Sequence, residues 1–123
     1  MLLFHRWSNE SKPSRMKKHE VRFDIDAEDD FFEIYRYVAM TDSIGQVDEL
    51  FESLKRSCYS LRTSPLRGNI PPELQDVGVS QFREIRFKPY RIIYSIEQAI
   101  VTVHCILDGR RDMQTLLQER FMR

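Results

Sequence analysis

The chain has 123 residues, a formal net charge of zero and 41% hydrophobic residues. That length fits one domain around one core, and the neutral balance excludes a general nucleic-acid coat protein, which needs excess Lys and Arg for non-specific phosphate binding. No apolar run approaches the length of a membrane span, no Cys/His spacing marks a metal site, and the apolar start Met1-Leu-Leu-Phe-His-Arg-Trp7 is too brief for a secretory signal.

Residues 1–17 form a basic lead-in, polar from Ser8 to Lys18 and broken by Pro13, with Lys12, Arg15 and Lys17 among its cations. This composition predicts a flexible extension. Met16 stands just before the first strand-like segment, so whether translation begins at Met1 or Met16 stays open. Residues 18–123 are expected to form the folded domain.

His19–Ile25 alternates Val21, Phe23 and Ile25 with Arg22 and Asp24, which predicts a strand. Asp26 is expected to open a helix, since its carboxylate can accept first-turn N–H groups and Glu28, Asp29 and Asp30 suit the positive end of the dipole. Phe31, Ile34, Tyr35 and Val38 then mark one buried face. Thr41, Asp42 or Ser43 caps a second helix with the stripe Val47, Leu50, Phe51, Leu54, Cys58 and Leu61. The short connection predicts an antiparallel helix hairpin.

Pro65, Gly68, Pro71 and Pro72 break the chain between Thr63 and Gln75. Three strands are expected next, over 81–87, 90–96 and 100–107, with Lys88-Pro89 and Glu97-Gln98 as turns. Met113–Phe121 reads as a terminal helix capped by Asp112, with Leu116 and Leu117 inward. The order β-α-α-β-β-β-α indicates an α+β fold in which the helix hairpin packs on one face of a small, mainly antiparallel sheet and leaves the other face free. Strict alternation would send Val101, Val103, Cys105 and Leu107 toward the helices, and Thr102, His104 and Ile106 to the open face. On the middle strand Ile92, Tyr94 and Ile96 would be buried, with Arg91, Ile93 and Ser95 open.

Charge is segregated along the chain. From Glu20 to Glu52 the acidic residues face only Arg22 and Arg36, whereas cations outnumber acids from Arg83 onward. Segregation of this kind concerns partners and steering rather than fold. Cys58 and Cys105 lie within apolar patterns and read as small buried residues in a reducing compartment, so the cytoplasm is the expected location.

Five pieces in this order, behind a strand and a helix hairpin, carry a family resemblance: Leu61-Arg-Thr-Ser-Pro-Leu-Arg-Gly68, Ile70-Pro-Pro-Glu-Leu74, Phe82-Arg-Glu-Ile85, Pro89-Tyr-Arg-Ile-Ile-Tyr94 and Leu107-Asp-Gly-Arg-Arg-Asp112. From about His19 onward the chain resembles the RelE/ParE superfamily of toxins from type II toxin–antitoxin modules. The resemblance implies a cognate antitoxin as partner and contact with operator DNA only through that antitoxin. It also implies one of two activities: ParE-like binding of DNA gyrase without hydrolysis, or RelE-like cleavage of mRNA on the ribosome. No cofactor, metal or membrane is expected.

RNA cleavage needs a base near the 2′-OH, cations at the phosphate and an acid for the leaving oxygen. The candidates for those roles are Arg91, Arg111, His104 and Glu73. Arg91 matches the family's open-face arginine and suits a phosphate, the alternative being a salt bridge to Glu84. Glu73 reads better as a solvated loop acid than as a base. Ribonuclease members commonly place a His or Tyr near the end of the last strand, where this chain has Asp108, and an ionised Asp repels a phosphate. The balance therefore favours the gyrase-binding reading, with Arg83, Arg86, Arg91, Arg110 and Arg111 as the surface for target or antitoxin. A regular strand would put Arg83 and Arg86 on opposite faces.

Overall fold

Asp24 sets the entry to the first helix. The computed structural model describes residues 18–122, so the expected extension over 1–17 lies outside the described residues. Strand β1 (Glu20–Phe23) runs into Asp24, whose carboxylate accepts from the Ala27 N–H at 3.0 Å and caps α1 (Ile25–Thr41). The cap therefore falls two residues before Asp26, because the chain leaves the sheet at Phe23. Helix α2 (Ile44–Tyr59) starts at a reciprocal capping box between Ser43 and Gln46.

Two single 3-10 turns, Ser60–Arg62 and Pro65–Arg67, and a one-turn helix α3 (Pro72–Gln75) lead to β2 (Phe82–Phe87). Strands β3 (Tyr90–Glu97) and β4 (Ile100–Asp108) follow, and α4 (Met113–Phe121), capped by Asp112, ends the fold. The sheet order is β1-β4-β3-β2; β1 runs parallel to β4 and the other pairs are antiparallel. The helix hairpin carries the chain from β1 across to β2 at the opposite edge, and the antiparallel run β2-β3-β4 returns it to lie parallel beside β1.

One face of the sheet meets that hairpin. Ile85, Ile92, Tyr94, Val101, Val103 and Ile106 pack against Phe31, Leu54, Cys58 and Leu61. Each large side chain buried this way contributes about 1.5–3 kcal/mol. Tyr94 is fully buried, its hydroxyl donating to Pro65 O at 2.6 Å and accepting from Gly68 N–H at 3.1 Å. A Cβ on Gly68 would fall onto that hydroxyl and the Glu84 carbonyl, so the loop needs glycine for space rather than for its φ.

The expected open face is covered. Ile93, Cys105 and Leu107 pack against Leu74 of α3 and Met113 and Leu117 of α4 in a second core. Strict alternation along β4 fails because Ile93 pairs with Cys105 while Tyr94 pairs with Val103, which leaves His104 as the extra residue of a bulge. Beyond the bulge the faces exchange, so Ile106 points to the hairpin and Cys105 and Leu107 point away from it. Arg91 and Ile93 lie on the predicted face but are buried there. Both cysteines are free and buried; burial pushes the Cys58 thiol up to about 12 and raises Cys105 as well.

Candidate functional site

Arg91 sits on β3 beside β2, and two carboxylates converge on it. Glu84 comes from β2 and Glu73 from the first turn of α3, which Pro72 starts. The guanidinium donates from Nε to Glu84 at 2.6 Å, from Nη2 to Glu84 at 2.9 Å, and from Nη1 and Nη2 to Glu73 at 2.7 Å each. Four of the five N–H donors of an arginine are thereby occupied. Glu84 is fully buried and also accepts from Asn69 Nδ2 at 3.3 Å. The paired carboxylates push the arginine's pKa up, with the hydrogen bonds it donates to Glu73 foremost. The same bonds hold the Glu73 carboxyl below its ordinary range.

Arg91 is thus no outward-facing phosphate clamp. It forms the salt bridge to Glu84 that the sequence offered as the alternative, with Glu73 as a second partner. Glu73 is correspondingly poor as a base, because both its oxygens are bonded and a general base works best with a pKa near the operating pH. Gly109 lets the turn after β4 lie against this group, since a Cβ there would come within 3.0 Å of Arg91 Cδ.

The end of β4 carries the exposed cations. Arg110 folds back on Asp108, with Nη2 to Oδ2 at 2.6 Å and its backbone N–H to Oδ1 at 2.9 Å. That pairing keeps the Asp108 carboxyl below its usual range, so it stays anionic. The Arg111 backbone N–H donates to Asp108 O, and its guanidinium has no hydrogen bond or ion pair among the described residues.

Arg110 and Arg111 form one wall of a groove of about 370 Å³. Glu33, Ile34 and Tyr37 of α1 line it from the helix, and Tyr90, Ile106 and Leu107 line it from the sheet. Tyr37 is 69% exposed and Met40, one turn further along α1, is 86% exposed. The sequence reading overlooked both. The available signal was that they fall outside the buried stripe of Phe31, Ile34, Tyr35 and Val38, so that a large apolar pair had to face solvent or a partner.

The remaining candidates are dispersed. Arg83 Nη1 donates to Gly68 O at 2.6 Å and fastens the loop on the hairpin side. Arg86 lies on the other side, 56% exposed and 3.7 Å from Glu84. The two therefore take opposite faces. His104 is not on an open face; Nδ1 lies 2.8 Å from Asp24 Oδ2 and Nε2 lies 2.7 Å from Ser95 Oγ. No hydrogen bond or ion pair among the described residues joins His104 to Arg91 or Arg111. No cluster of three or more His, Cys, Asp or Glu suited to a metal occurs among the described residues.

Comparison with known proteins agrees with this architecture. Residues 21–113 match the family model of the ParE toxin of type II toxin–antitoxin systems, parDE. No curated protein matches the chain in sequence. A chain of the chromosomal ParDE toxin–antitoxin system of P. aeruginosa superposes with a TM-score of 0.62 at 12% identity, covering 74% of this chain and 96% of that one. A chain of the RelBE2 toxin–antitoxin complex of Mycobacterium tuberculosis superposes with a TM-score of 0.56 at 19% identity, covering 78% of this chain and 97% of that one. At these identities the likeness is one of fold.

Proposed function

The chain belongs to the family of ParE toxins of type II toxin–antitoxin systems, and on that footing we propose that it acts by binding, with DNA gyrase as its target and a cognate antitoxin as its inhibitor. The observation that carries this reading is the state of Arg91. An arginine with four N–H groups committed to Glu73 and Glu84 has little left to hold a scissile phosphate. Asp108, anionic beside Arg110, adds no proton donor at the end of β4. Binding needs none of these groups to titrate; it needs accessible anchors and charge.

The groove between α1 and the end of β4 suits the antitoxin. Ile34, Ile106 and Leu107 give the groove apolar lining, and the acids Asp30, Glu33 and Asp108 share it with the cations Arg110 and Arg111. An amphipathic segment with apolar anchors and one charge of each sign on its flanks would fit it. Operator DNA is contacted through the antitoxin alone, and the complex works in the cytoplasm. Residues 18–123 supply these contacts, and residues 1–17 are dispensable for them.

Supercoiling of relaxed plasmid by gyrase, with increasing purified toxin, tests the target. Inhibition with trapped cleavage complex is expected. Unchanged supercoiling at saturating toxin, together with mRNA cleavage on programmed ribosomes, would replace this reading by a ribonuclease one.

A further inference from the structure

The hydrogen-bonded line through His104 has a geometry that the gyrase-binding reading does not use. We propose that Ser95, His104 and Asp24 form a nucleophile–base–carboxylate line able to take up an activated acyl or phosphoryl group on Ser95, independently of any action on gyrase. Three elements build it. Asp24 stands at the junction of β1 and α1, His104 on β4 and Ser95 on β3. Ser95 Oγ lies 2.7 Å from His104 Nε2, and His104 Nδ1 lies 2.8 Å from Asp24 Oδ2. Such a constellation is recognised by geometry and role rather than by sequence order.

Each member is fixed by the fold. The bulge at His104 re-aims this side chain relative to its neighbours in β4, as bulges do beside reactive sites. Asp24 is held twice, by its N–H to Val103 O at 3.0 Å and by Oδ1 capping Ala27, so Oδ2 alone is left for the imidazole. Phe82 meets the imidazole edge-on at 5.3 Å between centroids and Phe121 at 6.0 Å. Those rings hold its plane and give an electrophile an apolar wall.

The carboxylate, an acceptor only, accepts the hydrogen bond of Nδ1–H, and the tautomer so fixed leaves the Nε2 lone pair facing the Ser95 hydroxyl. With a dialkyl fluorophosphate, Oγ attacks phosphorus, the P–F bond breaks, fluoride leaves, the hydroxyl proton passes to Nε2 and then to solvent, and a dialkylphosphoryl-Ser95 ester remains. With an activated ester, Oγ attacks the carbonyl carbon, the proton passes through Nε2 to the departing oxygen, and an acyl-Ser95 ester remains. Neither step needs a further reactant.

The test is intact-mass and peptide-mass analysis of the full chain incubated with diisopropyl fluorophosphate. Folded wild type is expected to gain one adduct, located on Ser95 and absent from Ser95→Ala. His104→Gln should label about 100-fold more slowly, the lower end of what a positioned base contributes. Asp24→Asn keeps a good helix cap but offers an amide to Nδ1, and labelling should slow about tenfold or more. Circular dichroism spectra matching wild type establish that the variants compared are folded. No adduct on folded wild type, an adduct on another residue, an unchanged rate in both His104→Gln and Asp24→Asn, or equal labelling in urea would each overturn the proposal.

Discussion

Toward the helix hairpin, the sheet presents Ile85, Ile92, Tyr94, Val101, Val103 and Ile106 to Phe31, Leu54 and Leu61, a layer closed almost wholly by apolar contact. Toward α3 and α4 it presents Ile93, Cys105 and Leu107, and the same layer holds buried Glu84 and Arg91 beside Glu73. The hairpin side gains its stability from burial, which is tolerant of detail. The other side depends on charges that balance only as a set, since removing one member strands the rest in a medium that solvates ions poorly. The fold thus keeps its robust packing on one face and its position-critical groups on the other.

The largest effect should come from unbalancing that set. Arg91→Met leaves Glu84 buried with only Asn69 and the more distant Arg86 beside it. A loss of about 3–5 kcal/mol is expected in urea unfolding. Adding Glu84→Met and Glu73→Gln should restore much of it, because an apolar layer can replace an ion network. A loss under about 1 kcal/mol for Arg91→Met would mean that the network does not hold this face, and the arginine would again be available to a partner.

Removing Glu73 alone is milder, since Glu84 still pairs with Arg91. We expect about 1–2 kcal/mol near neutral pH, below the full value of a charged hydrogen bond because the carboxylate is partly solvated. Its folded pKa lies below the unfolded one. The stabilisation is therefore present above the unfolded pKa, about 4.3 for a Glu, and is lost as pH falls through the folded value. The urea midpoints of wild type and Glu73→Gln should begin to draw together as pH falls below about 4.3, and a constant difference down to strong acid would contradict the assignment. Asp30 runs the other way. Burial raises its pKa despite bonds from Arg120 and the Ile106 N–H, so its contribution is fullest below the unfolded pKa and falls as pH rises through the folded one.

The two faces also differed in how far the sequence revealed them. The hairpin side follows one periodic rule per element, and the stripes of α1 and α2 and the inward set Ile92, Tyr94 and Ile96 lie where that rule puts them. The far side does not, because the bulge at His104 reverses alternation, and nothing local to His104-Cys105-Ile106 announces it. The helix α4 was legible from Asp112 to Phe121, yet its docking site was not, since a helix pattern says which residues are buried but not against what. Arg91 shows the same limit: its pairing with Glu84 spans seven residues and could be anticipated, whereas Glu73 reaches it only through the path of the proline-rich loop.

A smaller, direct comparison of the two layers is Ile92→Val against Ile93→Val. These are adjacent residues, both fully buried, on opposite faces. Each should cost about 0.5–1.5 kcal/mol. A negligible cost for Ile93→Val alone, read from urea midpoints, would mean that α4 does not close the second layer in solution.

The smallest stability effect is expected where the groove meets solvent, and its absence is informative. The Arg110 side chain is 75% exposed and bonds only its near neighbour Asp108, while Arg111 has no side-chain partner among the described residues. Arg110→Ala and Arg111→Glu should leave the melting temperature unchanged, unlike Arg91→Met. Charges that do not hold the fold are free to choose partners, so Arg111→Glu should slow association with the cognate antitoxin, most strongly at low salt, as expected for a rim charge that steers encounter. Stopped-flow association rates at two ionic strengths separate this from lost packing, because Tyr37→Ala should instead speed dissociation at both. If Arg111→Glu lowered the melting temperature while leaving association untouched, the exposed cations would be structural like Arg91, and the division of labour between the buried and the exposed arginines would fail.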